Sequence, residues 1–230
     1  MPERVEVKIC GLARREDAEA AAALGADYLG VILSAGFGRS VAPDRAARVV
    51  EGLAAVAVAV LVDELPDRAE AAARRIGAGV IQLHGNEPPD VAAELSRRGP
   101  WRVWKSVRAR SPDDVRRAAE RYGAFVEGLL VEGYREGVVG GGGSGLDPGA
   151  FPRLDTLMPR PLRSILAGGL RADTVRGAVD HFVPDVVDVS SGVEREPGRK
   201  DRDLIGRFIQ EAREARGPTP AGPHSRGDAT

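Results

Sequence analysis

The feature that most constrains the fold of this 230-residue chain is an alternation between two kinds of segment. Short apolar runs rich in β-branched residues recur eight times, and most are followed by Ala-, Arg- and Glu-rich segments with helical spacing. Such runs predict strands buried on both faces, and the longer segments predict covering helices. The predicted strands are Val5 to Ile9, Tyr28 to Leu33, Val56 to Val62, Gly79 to Leu83, Arg102 to Ser106, Ala124 to Val131, Arg163 to Leu166 and Asp185 to Val189.

The intervening segments predict seven helices and one weaker element. Three of these helices begin with proline, at positions 43, 66 and 112, and the first turn of a helix tolerates proline. The region from Pro148 to Leu157 predicts a short, weak helix at best. The seven helices are Arg14 to Leu24, Pro43 to Leu53, Pro66 to Ile76, Asp90 to Arg98, Pro112 to Tyr122, Ala172 to His181 and Asp201 to Arg216.

About eight strand–helix pairs in this length predict an α/β fold, a single (β/α)8 TIM barrel over residues 1–216. The rival architecture is an open doubly wound sheet, which usually has a Gly-rich phosphate turn after its first strand. Here that strand ends in Cys10-Gly11-Leu12, which does not match. Residues 217–230 are rich in Pro, Gly and polar residues and predict a disordered C-terminal tail.

Charge and cysteine content exclude several classes of protein. The formal net charge is -1, with acids and bases spread along the chain, so we expect no nucleic-acid or membrane partner. One cysteine forms no internal disulfide. The N-terminus does not read as a secretory signal, and no apolar run approaches the roughly 20 residues of a membrane span. We therefore expect a cytoplasmic protein.

Titratable side chains gather at the predicted carboxyl ends of the strands, where barrel enzymes place their active sites. Cys10 is the most informative of them. A cysteine is often only a small buried hydrophobe, but its place at a strand end favours chemistry. Lys8 points to the same side of the strand, because side chains alternate, and could lower the pKa of the thiol.

Two further loops predict a phosphate site and a lid. Barrels commonly bind phosphate after strands seven and eight, where this chain has Gly168-Gly169 and Ser190-Ser191-Gly192. Either motif alone is an ordinary turn signal. The Gly-rich stretch within Gly133 to Leu146 suits a flexible linker or a lid that closes over substrate. A lid is favoured, because a linker has no place inside a barrel.

Five motifs in register make the chain similar to a known family. They are Lys8-Ile9-Cys10-Gly11-Leu12, Gln82-Leu83-His84-Gly85, Gly142-Gly143-Ser144-Gly145, Leu166-Ala167-Gly168-Gly169-Leu170 and Asp188-Val189-Ser190-Ser191-Gly192-Val193-Glu194, the last followed by Gly198-Arg199-Lys200-Asp201. Over about residues 5 to 210 the sequence resembles the phosphoribosylanthranilate isomerase family of tryptophan biosynthesis. That family has the (β/α)8 fold.

The resemblance implies an isomerase of the aldose–ketose type that performs an Amadori rearrangement. A general acid protonates the furanose ring oxygen, and a general base removes the C2 proton. No metal or organic cofactor is implied, since the nitrogen of the substrate serves as electron sink. By resemblance, Cys10 is the base and Glu132 the acid. The other implied contacts are Lys8, Arg39, His84 and Asp188 for the substrate, with Arg39 at the anthranilate carboxylate, and Gly143, Gly145, Gly168, Gly169, Ser190, Ser191 and Gly192 for the phosphate.

The chain departs from the family pattern at three places. Glu132 stands where the family has the aspartate of Leu-Leu-Leu-Asp, and a misplacement near 1 Å can cost about 10²-fold in rate. Phe37-Gly38-Arg39 replaces Ser-Pro-Arg, and Asp63 replaces an asparagine found in many members.

These departures keep two alternative functions open. One is a diverged relative that isomerises another N-glycosyl or amino-sugar phosphate, and the other is a non-catalytic phosphosugar-binding barrel. His84 has a second interpretation as a loop anchor. Either a monomer or a homodimer is compatible with the sequence.

Overall fold

The computed structural model of the chain describes residues 4–134 and 145–215. Within these ranges, eight parallel strands form one sheet and a short antiparallel hairpin follows the last of them. The strands are β1 (Glu6–Ile9), β2 (Tyr28–Ile32), β3 (Val56–Leu61), β4 (Val80–Leu83), β5 (Arg102–Ala109), β6 (Gly128–Gly133), β7 (Arg163–Leu166) and β8 (Val186–Val189), and the hairpin is β9 (Glu194–Glu196) with β10 (Arg199–Lys200).

The same ranges contain seven α-helices, which lie outside the sheet. They are α1 (Arg15–Ala23), α2 (Pro43–Val50), α3 (Pro66–Ile76), α4 (Pro89–Arg98), α5 (Pro112–Tyr122), α6 (Val175–Phe182) and α7 (Arg202–Glu214). Proline occupies the first turn of α2, α3 and α5, as predicted. Between β6 and β7 the weak predicted helix is a single 3₁₀ turn, Leu154–Thr156.

The sheet closes on itself, because β1 pairs in parallel with β2 on one side and with β8 on the other. The predicted (β/α)8 barrel is confirmed, and the open doubly wound sheet is excluded. Closure brings Lys8 opposite Asp188 across the β1–β8 seam.

Strand side chains alternate between two cores. One set, including Val58, Trp104 and Leu130, fills the barrel interior. The other set, including Ile81 and Leu129, packs against the helices. Residues two apart on one strand therefore share a face. The interior-facing residues at the carboxyl end of each strand consequently lie at the mouth of the barrel.

Strand β5 continues beyond Ser106, where the sequence pattern predicts its end. Pairing with β6 continues through Arg108 opposite Glu132, so β5 extends to Ala109. Lys105 is consequently a mid-strand residue, and its Nζ lies 3.1 Å from Glu87 Oε2 in a buried ion pair. Strand β6 begins later than predicted, at Gly128.

Two predicted segments fall outside the described residues: most of the Gly-rich lid, including Gly143, and the tail at 217–230. Among the helices in residues 4–134 and 145–215, none combines the length and apolar character needed to cross a membrane.

Candidate active site

A cavity of about 340 Å³ opens at the carboxyl ends of the barrel strands. This volume suits a small-molecule ligand. Of the residues singled out by sequence, the lining includes Cys10, Arg39, His84, Glu132, Gly168, Gly169, Asp188, Ser190, Ser191 and Gly192. Residues from six different strand ends or the loops after them thus converge on one space.

Cys10 and Lys8 lie side by side on the interior face of β1. A Cβ added to Gly30 on β2 would lie 2.9 Å from Cys10 Sγ and 3.1 Å from Lys8 Nζ, so that glycine leaves room for both side chains. Lys8 Nζ donates a hydrogen bond of 2.8 Å to Asp188 Oδ1. Lys8 is fully buried, and its ammonium is therefore a fixed charge beside the thiol.

Burial raises the pKa of the Cys10 thiol, and the nearby Lys8 ammonium offsets only part of that effect. Burial also opposes the charge on Lys8, but Asp188 and Cys10 outweigh it and raise the pKa of the lysine. The pair is consequently a charged lysine beside a thiol that is protonated at neutral pH.

Glu132 lies across the barrel on β6, almost fully buried. Its Oε1 is 3.7 Å from Arg108 Nε and 3.6 Å from His84 Nε2. Burial raises the pKa of the Glu132 carboxyl, and Arg108 only partly counteracts it. Glu132 therefore holds a proton more readily than an ordinary glutamate, as a general acid requires.

His84 is a neutral neighbour of this carboxyl. Burial, reinforced by Lys8 and other cations, lowers the pKa of His84 to about 3. The amide nitrogen of Gln82 lies 2.9 Å from His84 Nδ1. Because an amide nitrogen donates, Nδ1 accepts and the ring carries its proton on Nε2, the atom nearest Glu132.

The two predicted phosphate loops meet at one side of the cavity. Gly168 and Gly169 both adopt positive φ angles, 92° and 62°, which favour glycine. Gly192 approaches the other loop so closely that a Cβ there would collide with the carbonyl oxygen of Leu170. Gly145 is exposed beside this group, where a Cβ would lie 3.3 Å from the Gly168 carbonyl oxygen.

Arg39 reaches the cavity, but its fork is already engaged. Its Nε and Nη2 donate hydrogen bonds of 2.7 Å each to the two carboxylate oxygens of Glu194. Asp63, by contrast, is exposed and does not line the cavity. Its Oδ1 accepts a 2.6 Å hydrogen bond from the backbone of Asn86, so it anchors the loop after β4.

Comparison with known proteins agrees with this geometry. A sequence model of the family described as N-(5'-phosphoribosyl)anthranilate (PRA) isomerase matches residues 7–211. The chain belongs to this family. The enzyme of that name from Chromohalobacter salexigens is 40% identical over 94% of this chain and 98% of its own, and that from Trichlorobacter lovleyi is 37% identical over 92% and 99%.

Solved structures of PRA isomerases share the fold. The Thermotoga maritima enzyme superposes with a TM-score of 0.79 at 32% identity, covering 90% of this chain and 98% of its own. A second structure, with a TM-score of 0.75, 31% identity and the same coverage, is a complex with reduced 1-(o-carboxyphenylamino)-1-deoxyribulose 5-phosphate. Another Thermotoga maritima structure describes that enzyme as dimeric. The present chain, as a PRA isomerase family member, is an isomerase.

Four residues to which the sequence patterns assigned no role lie in or beside the cavity: Gln82 lines it, and Arg108, Glu194 and Lys200 each contact a residue that lines it. Gln82, Glu194 and Lys200 stand inside motifs that carried the resemblance, which was the available signal. Arg108 had none, because the predicted β5 ended before it. Lys8 lies below the cavity wall, beside Cys10, with its ammonium on Asp188.

Proposed function

We propose that this isomerase converts N-(5'-phosphoribosyl)anthranilate into 1-(2-carboxyphenylamino)-1-deoxyribulose 5-phosphate by general acid–base catalysis. The observation that carries the proposal is one cavity lined by a thiol, Cys10, a carboxyl, Glu132, and the two loops of Gly168-Gly169 and Ser190-Ser191-Gly192. A base, an acid and an anion site are the groups that the rearrangement requires. The relative that holds the reduced product analogue supports the same ligand class.

In the first step, Glu132 donates its proton to the furanose ring oxygen. The bond between C1 and that oxygen breaks, and the lone pair of the substrate nitrogen forms the C1–N double bond of an iminium. The raised pKa of Glu132 favours this role, because the carboxyl keeps its proton to a higher pH than an ordinary glutamate does. Contacts of 3.6 and 3.7 Å to His84 and Arg108 hold the longer glutamate where the family has an aspartate.

In the second step, Cys10 in its thiolate form, the minor form at neutral pH, removes the proton from C2, which the iminium has made acidic. The electrons of the C2–H bond form a C1–C2 double bond, and the nitrogen regains its lone pair. The resulting enolamine gains a proton at C1 and loses one from its C2 hydroxyl, which gives the ketone. Lys8 stabilises the thiolate by its fixed positive charge.

The two ends of the substrate fit different parts of the cavity. We assign the phosphate to the loops after β7 and β8, with Gly145 at their edge. Apolar side chains suited to the aromatic ring also line the cavity: Ile32, Phe37, Val60 and Val62. Arg39, whose Nε–Nη2 edge binds Glu194, leaves its Nη1 side for the anthranilate carboxylate.

We also propose a pathway, a cellular location and an oligomeric state for this enzyme. The reaction belongs to tryptophan biosynthesis in the cytoplasm, and the chain works as a monomer or homodimer without a nucleic-acid partner. Sedimentation of the purified chain at several concentrations distinguishes the two oligomeric states.

The direct test adds phosphoribosylanthranilate to the purified full chain and follows the loss of its fluorescence. We expect turnover without added metal. A well-folded preparation that leaves the fluorescence unchanged would overturn the proposal. Because substrate and product are isomers of equal mass, the ketose product is identified by the NMR signal of its carbonyl carbon.

A further inference from the structure

A buried ion cluster lies behind the loop that follows β8. It consists of Arg39, Glu194 and Lys200, here called the Arg39–Glu194–Lys200 triad. Glu194 accepts hydrogen bonds of 2.7 Å from Arg39 Nε and Nη2, and one of 2.8 Å from Lys200 Nζ. The side chains of Glu194 and Lys200 are 5% and 1% exposed, so neither ion is solvated by bulk water.

The triad joins parts of the chain that are distant in sequence. Arg39 comes from the loop after β2, whereas Glu194 and Lys200 come from the β9–β10 hairpin. The backbone N–H of Lys200 donates a 3.2 Å hydrogen bond to Asp17 on α1, which fixes the hairpin from a third side. A Cβ on Gly11 would lie 2.6 Å from Arg39 Cδ and 2.9 Å from Ser190 Oγ, so the arginine stem and the phosphate loop meet over that glycine.

Lys200 also contacts the phosphate loop directly. Its Nζ donates a 3.0 Å hydrogen bond to the carbonyl oxygen of Ser190 and lies 3.5 Å from Ser190 Oγ. This hydrogen bond fixes the orientation of the Ser190 carbonyl group at the point where the loop turns toward the cavity. The ammonium thereby places a positive charge directly beneath the proposed phosphate site.

The charges of the triad do not cancel. Burial opposes ionisation of Glu194, but hydrogen bonds from Arg39 and Lys200 outweigh it and hold its pKa at about 2. One carboxylate therefore faces two cations. Burial lowers the pKa of Lys200 below its ordinary value, although Glu194 and, more weakly, Cys10 act in the opposite direction, so the charge on this lysine depends on the carboxylate beside it. The uncompensated unit of positive charge favours an anion at the Ser190 loop.

We propose that Glu194 and Lys200 are positioning residues that couple the two anion contacts of the site: Lys200 shapes and charges the Ser190–Gly192 loop, and Glu194 ties that loop to Arg39. The inference rests on the proposed function and deepens it. It gives the phosphate site a cation, which the Gly168-Gly169 and Ser190-Ser191-Gly192 motifs do not contain. Removing Lys200 would weaken ground-state binding more than it slows the proton transfers, whereas removing Glu194 would make the charge of Lys200, and with it anion binding, more sensitive to pH.

The test compares Lys200→Met and Glu194→Gln with matched changes on the same hairpin. Arg199 and Glu196 form an exposed ion pair of 2.8 Å, so Arg199→Met and Glu196→Gln remove the same charges without touching the triad. The probes are kcat and KM for phosphoribosylanthranilate, and the dissociation constant of inorganic sulfate by calorimetry. Sulfate mimics the phosphate and stays dianionic across the pH range used. Ionic strength is held constant.

For Lys200→Met, we expect sulfate affinity and KM to worsen by about 10-fold at pH 7, with kcat within about threefold of wild type. The two control variants should match wild type. For Glu194→Gln, sulfate affinity should fall at a lower pH than in wild type, because a lysine without its carboxylate loses its proton more readily. A merely structural role would lower thermal stability without this change in pH dependence.

The proposal is overturned if Lys200→Met binds sulfate within twofold of wild type, or if the control variants weaken binding equally. An unchanged pH dependence in Glu194→Gln also overturns it. Should Lys200→Met fail to fold, the Glu194→Gln series decides alone. Sulfate binding requires no turnover, so an inactive wild type would refute the proposed function while leaving this test intact.

Discussion

The two ends of the barrel interior are both lined with charged side chains, yet they are organised in opposite ways. At the amino ends of the strands, Glu6 Oε2 accepts hydrogen bonds of 2.7 Å from Tyr28 and 2.6 Å from Arg163. Glu127 Oε2 accepts one of 2.8 Å from Trp104, and Glu127 Oε1 lies 3.4 Å from Arg102 Nη1. Two carboxylates thus balance two guanidinium groups, and each carboxylate accepts at least one hydrogen bond of 2.8 Å or less.

At the carboxyl ends, the groups proposed to react are less tightly held. Glu132 meets Arg108 and His84 only at 3.7 and 3.6 Å, longer than hydrogen bonds. Burial there raises the pKa of Cys10 and of Glu132, and the nearby Lys8 and Arg108 offset only part of that effect. The short ion pairs at this end, such as Lys8 with Asp188, lie beside the proposed reacting groups.

The same residue types therefore serve two purposes in one barrel. Balanced and hydrogen-bonded charges close the amino end and stabilise the fold, whereas incompletely paired groups at the mouth remain able to exchange protons. This comparison predicts that substitutions at the mouth reduce activity with little change in stability, and that substitutions at the amino end do the reverse.

The largest effect is expected for Cys10→Ala, which removes the proposed base. We expect kcat to fall by at least about 10³-fold, since positioned acid–base groups contribute about 10²–10⁴-fold each. The thermal midpoint should change by no more than a few degrees, because the substitution removes one buried sulfur. A variant with more than a tenth of wild-type kcat would remove Cys10 from the mechanism.

Glu132→Gln should follow, with a loss of about 10²-fold in kcat, because an amide cannot donate the proton to the ring oxygen. Glu132→Asp is the matched control, since it keeps the carboxyl and has the residue of the family pattern. We expect it to retain activity within about tenfold of wild type. A Glu132→Gln variant with activity within about tenfold of wild type would show that Glu132 does not supply the proton, because glutamine keeps the position of the side chain but not its acidic proton.

Arg163→Met tests the other end of the barrel. Leaving Glu6 without its guanidinium partner should lower the free energy of unfolding by about 2–3 kcal/mol, at the low end for a partly buried pair. Urea unfolding measures this loss, and kcat/KM should stay within twofold. Arg4→Met removes the exposed contact with Asp27 at 2.8 Å and should cost under about 0.5 kcal/mol. A large loss of activity in Arg163→Met would contradict the division between the two ends.

The pH profile should show the smallest effect, at most about tenfold per pH unit. The active form pairs a Cys10 thiolate with a protonated Glu132. Below the pKa of Glu132, kcat/KM rises with pH as the thiol ionises. Between the two pKa values it is level, and above the pKa of Cys10 it falls as the carboxyl continues to lose its proton.

Both bends of that profile should lie above the ordinary values of 4.5 for a glutamate and 9.0 for a cysteine. The acid bend should disappear in Glu132→Gln, measured on its residual activity. An acid bend at or below 4.5 would mean that another group, rather than buried Glu132, supplies the proton.

The sequence by itself determined the barrel and the residues at its mouth. Eight β-branched runs with intervening helices leave few architectures, and the carboxyl end of most strands, though not of β5, can be read from the run itself. The local pattern therefore predicts that Cys10, Glu132, Gly169 and Ser190 lie at one face of the barrel. The physical reason is that period and run length are local properties of the chain.

Only the tertiary structure decided which of these groups are paired. Lys8 meets Asp188 from 180 positions away, and Arg39 meets Glu194 from 155 positions away, through barrel closure and the hairpin after β8. The end of β5, and with it the neighbour of Glu132, depended on pairing with β6. Partners, burial and the resulting pKa shifts are set by long-range contacts, which no local pattern of residues records.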